Sequence, residues 1–137
     1  MVMENSYALI TGASSGIGLE IAKDLAGRGY NLILTARRTE LLESISKEIS
    51  EANNVNVDLI SKDLSNYDAP REIFEFCESK NYKVDILINN AGYGIKTSFH
   101  QTSIEDEEAF IRVLGTSVIM LTKLFIPKML ELSLIHI

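Results

Sequence analysis

The stretch that decides the fold is TGASSGIG, Thr11–Gly18. The apolar run SYALIT (6–11) precedes it and predicts a short strand. The segment GIGLEIAKDLAGRG (16–29) follows and predicts a helix, because isoleucine and leucine recur at four-residue spacing on one face and a glycine ends it. A glycine-rich turn between a strand and a helix is the setting in which a phosphate-binding loop is expected.

The residue types in this turn suit a dinucleotide. Gly12 permits a tight turn, while Gly16 and Gly18 let the backbone approach a pyrophosphate and let the helix pack close to the strand. The start of the helix offers free N–H groups and a positive dipole end to the phosphates. No Lys-Ser/Thr pair follows, so the loop is not a P-loop. The alternative is a turn that merely connects strand to helix. The predicted contacts are Gly12, Ser14, Ser15, Gly16, Ile17 and Gly18.

The rest of the chain alternates between strand and helix patterns. Predicted strands lie at 31–36, 55–60 and 84–89, and predicted helices at about 38–52, from a Ser-x-x-acid start at 65–68, and from about residue 103. Strands alternating with helices at this spacing indicate an α/β fold with parallel strands joined by right-handed crossovers. The strands are apolar at nearly every position, as expected when helices cover both sheet faces.

Composition narrows the class of function. The chain has 137 residues, 46% hydrophobic and 23% charged, with a net charge of −6. An acidic chain without a clustered basic face is not expected to bind nucleic acid or an anionic membrane. We see no signal peptide and no apolar run near the roughly 18 residues that would span a bilayer. The single cysteine, Cys77, is expected in the core, and a cytoplasmic location is the simplest expectation.

Two motifs in register resemble one enzyme family. The spacing Thr-Gly-x-x-x-Gly-x-Gly and the sequence NNAG (89–92) resemble the short-chain dehydrogenase/reductase family, and KDL (62–64) and LTKLFIPKM (121–129) extend the likeness to about residue 131. The resemblance implies a Rossmann-type parallel sheet of about four strands in the order 3-2-1-4 with flanking helices, truncated after the fourth strand. Residues 1–131 would then be the N-terminal part of an NAD(P)-binding domain.

The end of the second strand bears on the choice of dinucleotide. An acid just past this strand would bind the ribose 2′-hydroxyl and repel a 2′-phosphate. Ala36 stands there instead, followed by Arg37 and Arg38. A charge-assisted bond from arginine to phosphate contributes about 1.5–3 kcal/mol. We therefore expect NADP rather than NAD, with Arg37 the main contact and Arg38 and Ser14 secondary. The alternative is that both arginines are solvated residues at a helix start.

The family resemblance also implies roles for residues after the third and fourth strands. Asp63 would bind the adenine amino group and Leu64 would line the adenine pocket, although Asp63 could equally be a turn or cap carboxylate. Asn90, Ala91 and Gly92 would border the ribose, and Asn89 would support the sheet.

The family's catalytic residues have no counterpart in this chain. Members use a serine and a Tyr-x-x-x-Lys motif, in which the lysine lowers the tyrosine pKa from near 10 for general acid/base work. No tyrosine here has a lysine four residues on, and the usual family asparagine falls on Leu114. By resemblance the parent protein is an NADP-dependent oxidoreductase of carbonyl or alcohol substrates, whereas this chain should be inactive alone. The alternatives are a non-catalytic dinucleotide-binding sensor and a split enzyme completed by another chain.

Three further expectations concern the chain as a whole. The ending LSLIHI (132–137) corresponds to the codons CTG TCT CTT ATA CAC ATC, which resemble a transposon-end sequencing adapter, so we expect a non-native tail. The fourth strand would be an uncovered apolar edge, which predicts poor solubility of the isolated chain. No metal site is predicted, since Glu105–Glu108 has no His or Cys at ligand spacing. A full-length protein could be a homodimer or homotetramer, by resemblance.

Overall fold

The computed structural model describes residues 5–132, and within them the predicted alternation of strands and helices is confirmed. The strands are β1 (Ser6–Thr11), β2 (Asn31–Ala36), β3 (Val57–Ser61) and β4 (Lys83–Ile88); the helices are α1 (Gly16–Gly27), α2 (Thr39–Asn53), α3 (Ala69–Ser79), α4 (Ile104–Ile111) and α5 (Ser117–Glu131). All strand pairs are parallel, and the sheet order is β3-β2-β1-β4. The Rossmann-type order 3-2-1-4 is therefore confirmed.

Two apolar layers hold the sheet between its helices. Every residue of β1 is buried, because helices cover both of its faces. On one face, alternate strand residues such as Ile10 and Leu34 pack against α1 and α2. On the other face, Leu9 and Ile33 pack against α3 and α5, where Leu121 of α5 is fully buried. The apolar runs in the sequence are thus explained by burial on both faces.

The start of α3 differs from the sequence prediction. The predicted Ser-x-x-acid cap at 65–68 does not form; α3 begins at Ala69, with Pro70 in its first turn. The reason is Asp63, whose Oδ1 accepts the Ser65 backbone N–H at 2.9 Å while its carbonyl accepts the N–H of Asn66 at 3.0 Å. These bonds hold residues 63–66 in a turn, and proline then fixes the backbone where the helix starts. The predicted bounds of the first helix and of the third and fourth strands are also off by one to two residues.

The last helix is long and irregular. A capping box starts it. The Ser103 Oγ accepts the Asp106 N–H at 3.0 Å, and the Asp106 Oδ2 accepts the Ser103 N–H at 3.4 Å. A π-helical turn, Arg112–Thr116, separates α4 from α5. Such turns insert one extra residue into a helix and often occur at functional sites. This turn is not visible in the sequence pattern, which predicts one uninterrupted helix.

By length and composition alone, the helix Ile104–Glu131 could cross a membrane, because an 18-residue window has a mean hydropathy of 1.8. The sequence prediction counted only uninterrupted apolar runs and therefore missed this segment. Core helices of soluble proteins pass the same test, but such helices are mostly buried, whereas 22% of this window is buried. Its inward side, from Val113 through Leu121 and Phe125 to Met129, packs on the sheet and α3. The edge strand β4 and the outer side of this helix remain uncovered within residues 5–132.

Asp85 occupies an irregular place on the edge strand. The register between β1 and β4 shifts between Tyr7 and Ala8, so that Asp85 is skipped in the pairing. Its Oδ1 is buried without a hydrogen-bond partner among the described residues. Burial raises the pKa of this carboxyl above its ordinary value of 3.8.

We expect Asp85→Asn to stabilise the chain at pH 7. A raised pKa means that the folded state binds the proton more tightly than the unfolded state, so wild-type stability falls as pH rises above about 3.8. The amide variant lacks this penalty, and its advantage should vanish below that pH. Urea unfolding at pH 3 to 8 measures the difference, with Glu43→Gln on the exposed face of α2 as the control. An advantage that grows toward low pH would contradict the assignment.

Candidate dinucleotide-binding site

A cleft opens at the carboxyl ends of the four strands. Its volume is about 540 Å³, within the range of about 300–1,000 Å³ typical of small-molecule and cofactor sites. The glycine loop after β1, the arginines after β2, the turn after β3 and the segment after β4 line it. The lining residues are Gly12, Ser14, Ser15, Gly16, Ile17, Thr35, Ala36, Arg37, Arg38, Lys62, Asp63, Leu64, Ser65, Asn90, Ala91, Gly92, Tyr93, Ala109 and Val113. In open α/β sheets, ligands bind at this edge, where the strand order reverses.

Thr11 and Asn90 join the glycine loop to the end of β4. The Thr11 Oγ1 accepts the backbone N–H groups of Asn90 at 3.0 Å and Ala91 at 2.9 Å. In return the Asn90 Nδ2 donates to the carbonyls of Thr11 at 3.1 Å and Gly12 at 3.2 Å. Four bonds between segments nearly eighty residues apart fix the two walls of the cleft relative to each other.

This junction explains why two of the loop residues are glycines. Gly12 has φ +64°, a left-handed conformation that side chains disfavour, and a Cβ there would lie 2.8 Å from the Ala91 Cα. At Gly18 a Cβ would lie 2.3 Å from the Asn90 Nδ2 and 2.5 Å from the Gly12 carbonyl oxygen. Gly18 does not line the cleft; it lies under the loop, where it lets α1 approach Gly12 and the Asn90 side chain beyond the end of β4.

No acidic side chain in the first turn of α1 offsets the positive end of its helix dipole. Ser15 is the N-cap residue, yet its side chain makes no capping hydrogen bond, and the first turn contains no acidic residue. The first N–H groups of a helix have no partner within the helix, and the helix dipole adds a partial positive charge there. Ser15, Gly16 and Ile17 at this end are exposed and line the cleft. The arrangement suits a phosphate group.

Cations line the cleft beyond the ends of β2 and β3. Arg37 and Arg38 are exposed, and neither guanidinium has a salt-bridge partner within residues 5–132. Lys62, which the sequence reasoning did not select, lines the same cleft and pairs with Glu72 of α3. The residue directly after β2 is Arg37 and not the acid that would repel a second negative group on the ribose.

Asp63 and Leu64 form the wall beyond β3. Leu64 is buried and belongs to the core under the cleft. Asp63 lines the cleft and its Oδ1 accepts the Ser65 N–H, so the turn role is confirmed, while its contact with a ligand stays a prediction. One of its oxygens is used by the turn, and a ligand would meet the other.

The wall beyond β4 is apolar. Tyr93, Ala109 and the buried Val113 line it, and the Tyr93 ring packs edge-on against Phe110 at 5.4 Å between centroids. Leu114, in the π-helical turn, leaves no room beyond Gly92: a Cβ on Gly92 would lie 2.8 Å from the Leu114 Cδ2. Asn89 instead supports the sheet, as expected, since its Nδ2 donates to the Thr122 Oγ1 of α5 at 3.2 Å.

Two titratable groups outside the cleft, Cys77 and Tyr82, have raised pKa values because they are buried. Burial raises the pKa of the Cys77 thiol to about 12, with smaller contributions from nearby acidic groups, so this thiol is a core residue and a poor nucleophile. Burial raises the pKa of Tyr82, whose hydroxyl donates to Asp58 at 2.7 Å, far from the cleft. Within residues 5–132 no cluster of three or more His, Cys, Asp or Glu side chains could hold a metal ion.

Sequence comparison decides the family. The profile described as short chain dehydrogenase matches residues 6–134. The chain belongs to the short-chain dehydrogenase family. Its Rossmann-type NAD(P)-binding fold and its membership of an oxidoreductase family follow from this match together with the sheet order.

Individual short-chain dehydrogenases agree with this assignment. The chain is 35% identical over 133 residues to a very-long-chain 3-oxoacyl-CoA reductase of Vanderwaltozyma polyspora, covering 92% of this chain and 37% of that protein. A short-chain dehydrogenase from Sphingobium yanoikuyae in complex with NADPH superposes with a TM-score of 0.87 at 29% identity, over 94% of this chain and 50% of that chain. L-Sorbose reductase from Gluconobacter frateurii, complexed with NADPH and L-sorbose, gives 0.85 at 29% identity, over 94% and 49%.

The chain therefore spans half or less of the length of these short-chain dehydrogenases. The matched part contains the glycine loop, the arginines after β2 and the NNAG segment. Of the thirteen residues predicted from the sequence, all except Gly18 line one cleft. Their contacts with a dinucleotide stay a prediction.

The glycine at position 18 can be tested directly. We expect Gly18→Ala to lower stability and dinucleotide affinity together, because the added methyl group would collide with a backbone oxygen and the Asn90 amide. Gly27→Ala, near the end of the same helix, is the matched control: a Cβ there would lie 3.8 Å from its nearest neighbour. It should be neutral or stabilising by up to about 1 kcal/mol. Thermal unfolding and nucleotide titration of both variants measure the contrast; equal behaviour would contradict the close-approach argument.

The hydroxyl of Thr11 gives a second test. Thr11→Val removes the acceptor of two backbone N–H groups, and we expect it to reduce the free energy of unfolding by about 1–3 kcal/mol. Thr35→Val on the neighbouring strand is the control, because the Thr35 hydroxyl is equally buried but has no hydrogen-bond partner among the described residues. That variant should keep or gain stability in urea unfolding. The account would be wrong if both variants lost the same amount.

Proposed function

We propose that this chain forms the dinucleotide-binding part of an NADP-dependent oxidoreductase, which transfers hydride between the cofactor and a small-molecule carbonyl or alcohol substrate. The observation that carries the proposal is the pair Arg37 and Arg38, which have no salt-bridge partner within residues 5–132 and line the cleft that also contains the uncapped start of α1. The glycine loop would hold the pyrophosphate, and the arginines would hold the 2′-phosphate. Bound NADP would supply the hydride, and these residues would bind and orient it.

The remaining positions take roles consistent with this geometry. Asp63 would accept a bond from the adenine amino group with the carboxylate oxygen left free by the turn, and Leu64 would pack beside the ring. Asn90, Ala91 and Gly92 would border the ribose, where the small residues allow close approach. Two related structures were solved with NADPH, which supports the choice of cofactor without extending their substrates to this chain.

Taken alone, the chain should bind the dinucleotide without turnover. It contains no Tyr-x-x-x-Lys motif, and positioned acid/base catalysis contributes about 10²–10⁴ in rate. We assign residues 1–131 to the N-terminal part of the NAD(P)-binding domain and 132–137 to a non-native tail; residues 133–137 lie outside the described part of the structure. A cytoplasmic location and a dimeric or tetrameric full-length protein complete the proposal.

One observation favours a purely binding role as the second candidate. Leu114 stands where the family usually has an asparagine, and it faces Gly92 beside the cleft. A protein that senses NADP without catalysis would need the cleft but not that asparagine. Carbonyl reduction assayed with a version of this gene continuing beyond residue 131 separates the two candidates: turnover supports the enzyme, and binding without turnover supports the sensor.

The cofactor preference depends on Arg37. We expect Arg37→Ala to weaken NADP binding about ten- to a hundredfold, since a charge-assisted bond to phosphate is lost, and to leave NAD binding nearly unchanged. Isothermal titration calorimetry with both dinucleotides measures this. Arg28→Ala is the control, because Arg28 pairs with Asp24 on the exposed side of α1. Equal losses for NADP and NAD would place Arg37 outside the 2′-phosphate site.

A further inference from the structure

The lysine that lines the cleft has no role in the function proposed above. Lys62 follows β3 directly, and its backbone N–H donates to the Ala36 carbonyl at 3.0 Å. The preceding Ser61 Oγ donates to the Arg37 carbonyl at 3.0 Å. These bonds continue the pairing of β2 and β3 by one residue, so the backbone of Lys62 lies beside that of Arg37 at about the 4.8 Å spacing of adjacent strands. The Lys62 stem is long and flexible enough to reach a group held by Arg37.

The ammonium of Lys62 has a salt-bridge partner, whereas the guanidiniums of Arg37 and Arg38 have none in the described part of the chain. It pairs with the Glu72 carboxylate in the first turn of α3, and the two side chains are 31% and 47% exposed. A pair that is open to water is worth little, from nothing to about fivefold in an equilibrium constant. A charge-assisted hydrogen bond to a phosphate is worth about ten- to a hundredfold. The comparison favours the phosphate whenever one is within reach.

We propose that Lys62 is a third cation for the 2′-phosphate of NADP, and that Glu72 holds it in reserve until that phosphate binds. On binding, the ammonium leaves the carboxylate and joins the two arginines around the doubly charged group. No covalent bond changes. The inference rests on the proposed NADP preference and adds a residue and a competing acid to it.

A single pair of nucleotides tests the residue. The wild-type chain and Lys62→Met are titrated by calorimetry with 2′,5′-ADP and with 5′-AMP, which differ only in the 2′-phosphate. Lys62→Met should weaken 2′,5′-ADP binding at least about twofold, the phosphate bond less the cost of leaving Glu72, and should leave 5′-AMP binding unchanged. Lys47→Met is the matched control, because Lys47 also pairs with a glutamate, Glu51, but on the outer face of α2.

Replacing Glu72 gives an independent second test, because its expected effect on affinity is opposite to that of Lys62→Met. Glu72→Gln should tighten 2′,5′-ADP by up to about fivefold, since the ammonium no longer has a competing partner. Glu51→Gln removes the same charge from the control pair and should have little effect. This variant keeps every cation in place, so it answers the question even if Lys62→Met folds poorly.

The outcomes distinguish a failure of the proposed Lys62 role from a failure of the proposed NADP preference. A wild-type chain that binds 2′,5′-ADP no better than 5′-AMP would overturn the NADP assignment itself. If the wild type prefers 2′,5′-ADP but Lys62→Met keeps that preference, or loses affinity for both nucleotides equally, Lys62 is not a phosphate ligand. Glu72→Gln behaving as Glu51→Gln would remove the competing role of the acid.

Discussion

The cleft depends on the hydrogen bonds between Thr11 and Asn90. They join the segments that follow β1 and β4 and so extend the pairing of the two strands beyond Ile10 and Ile88. The Thr11 hydroxyl accepts two backbone N–H groups and the Asn90 amide donates to two carbonyls, so these four backbone groups are satisfied within the junction. The glycines at 12 and 18 follow from this junction as much as from any ligand, since side chains there would push the segments apart.

The same constraint places the charges. Once the glycine loop is fixed against β4, the start of α1 faces the cleft that Arg37 and Arg38 line after β2. The first turn of α1 has no acid, and the residue directly after β2 is Arg37 and not an acid, so the cleft keeps a positive character in a chain whose net charge is −6. A local field of this kind attracts an anionic ligand even when the overall charge would repel it.

Much of this arrangement could be predicted from the sequence. The alternation of strands and helices and the glycine loop follow from patterns with short spacing, because turns and helix starts are encoded locally. The strand order and the cleft residues after β3 and β4 came instead from the family resemblance. Lys62 could not be selected, since its position beside Arg37 arises from pairing between strands. The π-helical turn at Arg112–Thr116 and the late start of α3 also escaped prediction: the first leaves the apolar spacing almost unchanged, and the second depends on which N–H groups Asp63 accepts.

The most direct measurement of the central claim is calorimetric titration of the purified chain with NADP and with NAD at low and high salt. The account predicts that NADP binds at least about tenfold more tightly at low salt, and that its advantage shrinks as salt screens the arginine contacts. Equal affinities for the two dinucleotides at low salt, or a preference for NAD, would contradict the assignment of Arg37 and Arg38 to the 2′-phosphate.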